Sequence, residues 1–279
     1  MNDLTNIVEK FDGFPSLSKV VNRIIELFNK GDVDINILEE SLREDPNLTI
    51  QVLRIANSPF FGISGEITSI KEACMILGLP NVFNLVTAAD VINALGDSHC
   101  NAIDISKFWE HSITVGIATT IVAKKVGLQD SSTFICGLLH DIGKLALDAY
   151  QPKLYKKILD YQTNNACTNI EAELQVAGFT HAQLGAAIGQ YWKLSPAITQ
   201  PILHHHEKSQ IDDNQLIAAL HVSNLLVKGI KQDIHEQNLI YEFHSRSLNT
   251  LGFKLGDLYK NMIEIDEMSR NNSLMDLVK

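Results

Sequence analysis

The chain has 279 residues, enough for one large domain or two modest ones with an ample apolar core. A hydrophobic fraction of 45% marks a globular protein, and a formal net charge of −10 speaks against non-specific nucleic-acid binding and against docking on an anionic membrane. No apolar run approaches a membrane span and the first residues lack the layout of an export signal, so a cytoplasmic location is expected, with Cys74, Cys100, Cys136 and Cys167 as free thiols.

Helical periodicity runs through nearly every segment. Leu17, Val20, Val21, Ile24, Ile25 and Phe28 form one apolar stripe closed by Gly31, and Ile35, Leu38 and Leu42 form the next. Asp45 and Pro46 read as an N-cap followed by a first-turn proline, ahead of Leu48, Val52, Leu53 and Ala56. Helical patterns over 70–77 and 82–95 end at Gly78 and Gly96. With no alternating strand run and no Asn-Gly hairpin turn, the expected fold is all-α. The polar stretch GDSHCNAID, Gly96 to Asp104, is the candidate boundary. Residues 1–96 are read as an N-terminal helical subdomain and 97–229 as a second helical subdomain carrying most of the histidines. Residues 230–279 are read as a helical C-terminal appendage.

The histidines fall on particular faces. On a helix predicted over 105–126, His111 shares the apolar side of Phe108, Val115, Ala118 and Val122. In GLLHDIGKL, Gly137 to Leu145, His140 and Asp141 are adjacent in an apolar run. Read as one helix, the run turns Asp141 about 100° from His140, so that both can reach one ion beside the axis. Cys136, Gly137 and Gly143 share the His140 stripe and are small enough to admit another helix backbone. His181 opens a helix behind a Thr180/Gln183 capping box. Ile198, Pro201 and Ile202 share the side of His205 within the HHHE cluster, His204 to Glu207, where Pro201 predicts a bend. A carboxylate facing a core needs a cation or several donors, so these residues are read as a shared polar or metal site. Hydrogen-bonded core histidines without metal are the alternative. His99, His235 and His244 sit in polar surroundings and read as surface residues.

The ordered set of motifs resembles the HDOD branch of the HD superfamily of metal-dependent phosphohydrolases. DPNLTIQVLRIANSPFFG (Asp45 to Gly62) and SIKEACMILG (Ser69 to Gly78) are similar to the N-terminal helices of HDOD proteins. FWEHS around His111, GLLHDIGKL, HAQLGA from His181 and HHHE from His204 then follow in the family order. The resemblance covers about residues 14–224 and implies a compact helical fold with a bacterial signalling or regulatory role. It makes His111 the first metal ligand, with His140 and Asp141 as the HD pair. His181, His205 and His206 correspond to further ligands of the two-metal HD-GYP relatives, and Lys144 to a lysine that contacts substrate phosphate there.

The departures from that pattern shape the functional expectation. Asn224 stands where HD enzymes carry a terminal aspartate ligand, and a neutral amide is the weaker ligand for a hard cation. Lys107 occupies a position where a glutamate would help, and the GYP tail is missing after HHHE. Two ions would bring four positive charges against one evident carboxylate ligand, Asp141, so at most one is expected: iron, manganese, nickel or zinc, or no metal at all. His221 and Asn224, one turn apart, could instead close the histidine cluster from behind by hydrogen bonds without metal. The leading expectation is a signalling protein with a degenerate HD site that works through a protein partner. The alternative is a mononuclear phosphohydrolase acting on a phosphoester or nucleotide, with Asp141 and Lys144 in catalytic roles. A module that binds a nucleotide without hydrolysing it is a third possibility. No membrane or nucleic-acid partner is expected.

Overall fold

The computed structural model describes residues 2–96, 98–230 and 245–270, and among these every regular element is a helix. His235 and His244 lie outside the described residues; His99 is exposed.

The first helices follow the stripes and caps of the sequence. After α1 (Asn2–Glu9), α2 (Lys19–Lys30) starts at Ser18, whose hydroxyl accepts from the Val21 amide, and stops at Gly31 in the left-handed conformation. Asp34 and Asp45 cap α3 (Ile35–Leu42) and α4 (Pro46–Ala56) in the same manner, with Pro46 at the first helical position. Helix α5 (Ile70–Leu77) ends at Gly78, which with φ 87° turns the chain directly into α6 (Leu79–Leu95).

The second part is built on α7 (Ile105–Lys125), which packs along α8 (Thr133–Leu139) and α15 (Gln215–Ile230). Helices α9 (Ile142–Tyr150), α10 (Pro152–Asn165) and α11 (Asn169–Ala177) lead to α12 (His181–Tyr191), which lies against α9 and α13 (Pro196–His204). Pro201 does lie inside α13, one turn ahead of the histidine cluster. A short α14 (Lys208–Asp213) precedes α15, and α16 (Ser245–Leu251) and α17 (Leu255–Arg270) pack on α15, the latter also on α7. None of the described helices is long and apolar enough to cross a membrane.

One apolar core runs through both parts of the chain. Phe14 stacks on Trp192 and meets Tyr150 and Tyr191 edge-on, while the Trp192 indole donates to the Pro15 carbonyl at 3.1 Å. The polar stretch before α7 is fastened from below. Buried Asp148 of α9 accepts the backbone amides of Asn101, Ala102 and Ile103 through one oxygen, at 3.0, 2.8 and 2.7 Å. That anchor fixes where α7, and therefore His111, begins relative to the HD pair.

Candidate metal centre

His140 and Asp141 occupy the junction between α8 and α9. This corrects the single-helix reading: α8 ends at Leu139, and Asp141 leaves helical geometry at ψ 9° before α9 begins. The break changes the angle between the two side chains without separating them, and both remain buried.

Two glycines explain how other helices come so close. A Cβ on Gly137 would lie 2.5 Å from the Cα of Gly116, so α8 crosses α7 backbone to backbone. A Cβ on Gly143 would collide with the His181 carbonyl, so α9 is pressed against the start of α12. These contacts bring His111 from one side and His181 from the other to the HD pair.

Asp141 is the hub. Its Oδ1 lies 3.0 Å from His181 Nε2 and 3.8 Å from His205 Nε2; its Oδ2 lies 3.3 Å from His140 Nε2 and 2.9 Å from Lys144 Nζ. His206 lies beside His205, its ring tilted by 44° and the centroids 4.1 Å apart, and His111 lies 5.5 Å from His140 by the same measure. The candidate ligand atoms form two overlapping groups. Asp141, His181, His205 and His206 have theirs within 4.8 Å of one another, as do His111, His140 and Asp141. Asp141 is common to both.

The far sides of His140, His181 and His205 are already committed. His140 Nδ1 donates to the Gly137 carbonyl and His205 Nδ1 to the Ile202 carbonyl, each at 2.7 Å. A carbonyl only accepts, so the proton is fixed on Nδ1 and the Nε2 lone pair faces the centre. His181 Nδ1 donates instead to the Glu173 carboxylate at 2.9 Å. The Nε2 atoms of His140, His181, His205 and His206, with Asp141 Oδ1, are out of contact with solvent and make no aligned hydrogen bond. Buried polar atoms are normally paired, and these five converge on one another around Asp141 with no other partner, the arrangement of a site for a cation. The donor set of imidazoles and one carboxylate suits a divalent transition metal, and these residues fit one.

The electrostatics agree with that chemistry at His111, His205 and His206 and run against it at His181. Burial and the neighbouring histidines keep His205 and His206 far below the usual imidazole range, and burial with His140 beside it pushes His111 down to about 3. All three are therefore neutral, as ligands must be. Burial alone would raise Asp141, but His140, Lys144 and His181 hold its carboxyl well below the usual carboxylate range. Burial and Lys144 work against a charge on His181, yet Glu173 and Asp141 outweigh them and raise it.

The remaining residues sort clearly. Lys144 makes the ion pair with Asp141 at the partly exposed edge of the cluster. His221 is buried and its Nδ1 donates to the His205 carbonyl at 3.0 Å, bracing a ligand-bearing turn from behind. Asn224 is buried on the same helix, and its Oδ1 makes no hydrogen bond. His204 turns away to Gln200 and Glu207, and Lys107 is exposed. Two residues were not singled out from the sequence. Glu173 is fully buried behind His181, and Lys228 of α15 is buried within electrostatic reach of His111. A signal for Glu173 was present, since Val176 and Ala177 three and four residues on mark its side of α11 as inward.

Residues 14–208 match the HDOD domain family. The chain belongs to that family. A protein of Shewanella amazonensis SB2B superposes with a TM-score of 0.76 at 23% identity, covering 98% of this chain and 97% of its own. An HDOD domain protein of unknown function from Geobacter sulfurreducens superposes at 0.69 with 21% identity, covering 95% and 97%. A third, from Marinobacter aquaeolei VT8, reaches 0.70 at 20% identity over 99% of this chain and 64% of its own. At such identities these likenesses establish the shared HDOD fold. An uncharacterized protein of Treponema pallidum (strain Nichols) is 24% identical over 230 residues, 80% of this chain but 44% of that protein. The chain thus spans less than half of that relative's length.

Proposed function

We propose that this HDOD protein is a signal-transduction module in which the buried centre binds one divalent transition metal and the output passes through a protein partner. The supporting observation is the closed set of Nε2 atoms around Asp141, each withdrawn from solvent. Metal sites that serve structure are closed by protein ligands, whereas catalytic sites keep a position open. An ion held by Asp141, His181, His205 and His206 would join the α8–α9 junction, α12 and the turn after α13, so its presence or identity would set how those helices sit. Asn224 in place of a carboxylate and the single Asp141 favour one ion of the iron, manganese, nickel or zinc kind. The Marinobacter relative carries a provisional signal-transduction name, which accords with this reading.

Lys144 favours a second reading, a mononuclear phosphohydrolase, and the Shewanella relative carries a provisional phosphohydrolase name. A bound ion would supply Lewis acidity toward a phosphoryl oxygen. Lys144, at the exposed edge, would neutralise phosphate charge and orient a phosphoester or nucleotide against Asp141 and His111.

Elemental analysis of the full chain purified without a histidine tag separates the possibilities. About one equivalent of transition metal is expected in the wild type and none in Asp141→Ala, which removes the ligand common to both groups. Wild-type protein without stoichiometric metal would sink both readings. Turnover of phosphomonoesters or cyclic nucleotides that vanished in His140→Ala would replace the first reading with the second.

A further inference from the structure

Glu173 is treated unlike any other buried carboxylate near the centre. It is completely buried on α11, and both of its oxygens are engaged. Oε2 accepts the His181 backbone amide at 2.8 Å, Oε1 accepts the Asn169 amide group at 2.9 Å, and both lie 2.9 Å from His181 Nδ1. One carboxylate thus grips the backbone and the ring of the same histidine.

A neutral carbonyl suffices to orient His140 and His205. Burying a full charge to do the same for His181 costs several kcal/mol of desolvation unless a positive partner repays it. Among the described residues Asp141 is the only carboxylate in contact with the ligand nitrogens, and Lys144 already offsets part of its charge. A divalent ion held by Asp141 and neutral imidazoles would therefore leave the core with excess positive charge. Hydrogen bonding of a ligand imidazole to a carboxylate also makes its Nε2 a stronger donor.

We propose that Glu173 is the positioning and charge-balancing residue of the metal centre, aiming His181 Nε2 at the ion and supplying the second negative charge that Asn224 does not. This rests on the metal reading above. It assigns a role in the centre to α11, a helix that none of the recognised motifs includes.

Cobalt(II) is a suitable probe, because its visible ligand-field bands report the donor set as well as its affinity. With the full-length chain, Glu173→Gln keeps the size and one acceptor oxygen but removes the charge and turns an NH2 toward a donor. It is expected to weaken cobalt binding by about 10- to 100-fold and to shift the bands. Asn169→Ala removes one hydrogen bond to Glu173 but leaves its charge, and should change affinity far less. Should Glu173→Gln not fold, Glu173→Asp carries the test; it keeps the charge with a shorter reach, and an intermediate loss with displaced bands is expected. Wild-type affinity and bands in the Gln variant, or in the Asp variant where that replaces it, would overturn the proposal. So would an equal loss in Asn169→Ala, which would assign the effect to packing. A wild-type chain that took up no cobalt would overturn both this proposal and the reading beneath it.

Discussion

Asp141 and Asp148 are seven residues apart, and both bury a carboxylate, by different means. Asp148 is satisfied by three backbone amides of the segment before α7 and needs no cation. Asp148→Ala would remove three hydrogen bonds to a charged group, worth about 1.5–3 kcal/mol each where the donors stay dry, but Asn101 and Ala102 are exposed and can turn to water. A loss of about 1.5–3 kcal/mol is expected in urea denaturation, with Asp148→Asn losing less. Asp90 of α6 is a third case. Its carboxyl accepts the Ser18 amide at 2.8 Å, but burial outweighs that bond and raises it above the ordinary 3.8. A carboxyl whose folded value is raised binds its proton more tightly when folded, so stability falls as pH climbs from the ordinary range through the raised value. Asp90→Asn should therefore match or exceed wild-type stability at pH 7, and its advantage should shrink as pH falls toward 4. Denaturation curves at the two pH values decide it; an advantage that grew on acidification would contradict the assigned direction.

At the level of helices, the centre depends on backbone contacts as much as on ligands. Gly143 admits the His181 carbonyl and Gly137 admits Gly116. Gly143→Ala has no flexible side chain to push aside, so it must part α9 from α12, at a cost beyond the 1–3 kcal/mol usual for overpacking. The expected outcome is a protein that melts markedly lower and retains no stoichiometric metal; normal metal content at wild-type stability would refute that geometry. These glycines were visible in the sequence as small residues beside His140, but which helices they admit was not, because that depends on pairings far apart in the chain. The α8–α9 break was hidden for a related reason. GLLHDIGKL has uninterrupted helical patterning, and the turn at His140 and Asp141 is imposed by packing around the cluster rather than by a proline or a strong cap. Glu173 escaped notice because it acts through His181 and belongs to a different helix, so no spacing rule links the two.

Across the whole molecule, the helical class, most helix ends and the family could be read directly from caps, glycines and ordered motifs. Local chemistry decides those features, and local chemistry is what a sequence displays. The joining of early and late segments could not be read in this way. Thr5 meets Gln190, Asn29 donates to the Lys193 carbonyl, Glu26 pairs with Lys193, and Pro15 receives the Trp192 indole. These contacts span 164 to 185 positions. Their consequence lies in the order of events during synthesis. Phe14 leaves the ribosome long before Tyr191 and Trp192 exist to cover it, and Phe11 long before Tyr150, so the nascent chain carries an uncovered aromatic face for much of its translation. Closure across so many residues also makes the final docking slow compared with formation of the helices themselves. The metal ligands of α12 and the turn after α13 are placed by that same late docking, so the centre is completed only once the head of the chain has found its tail.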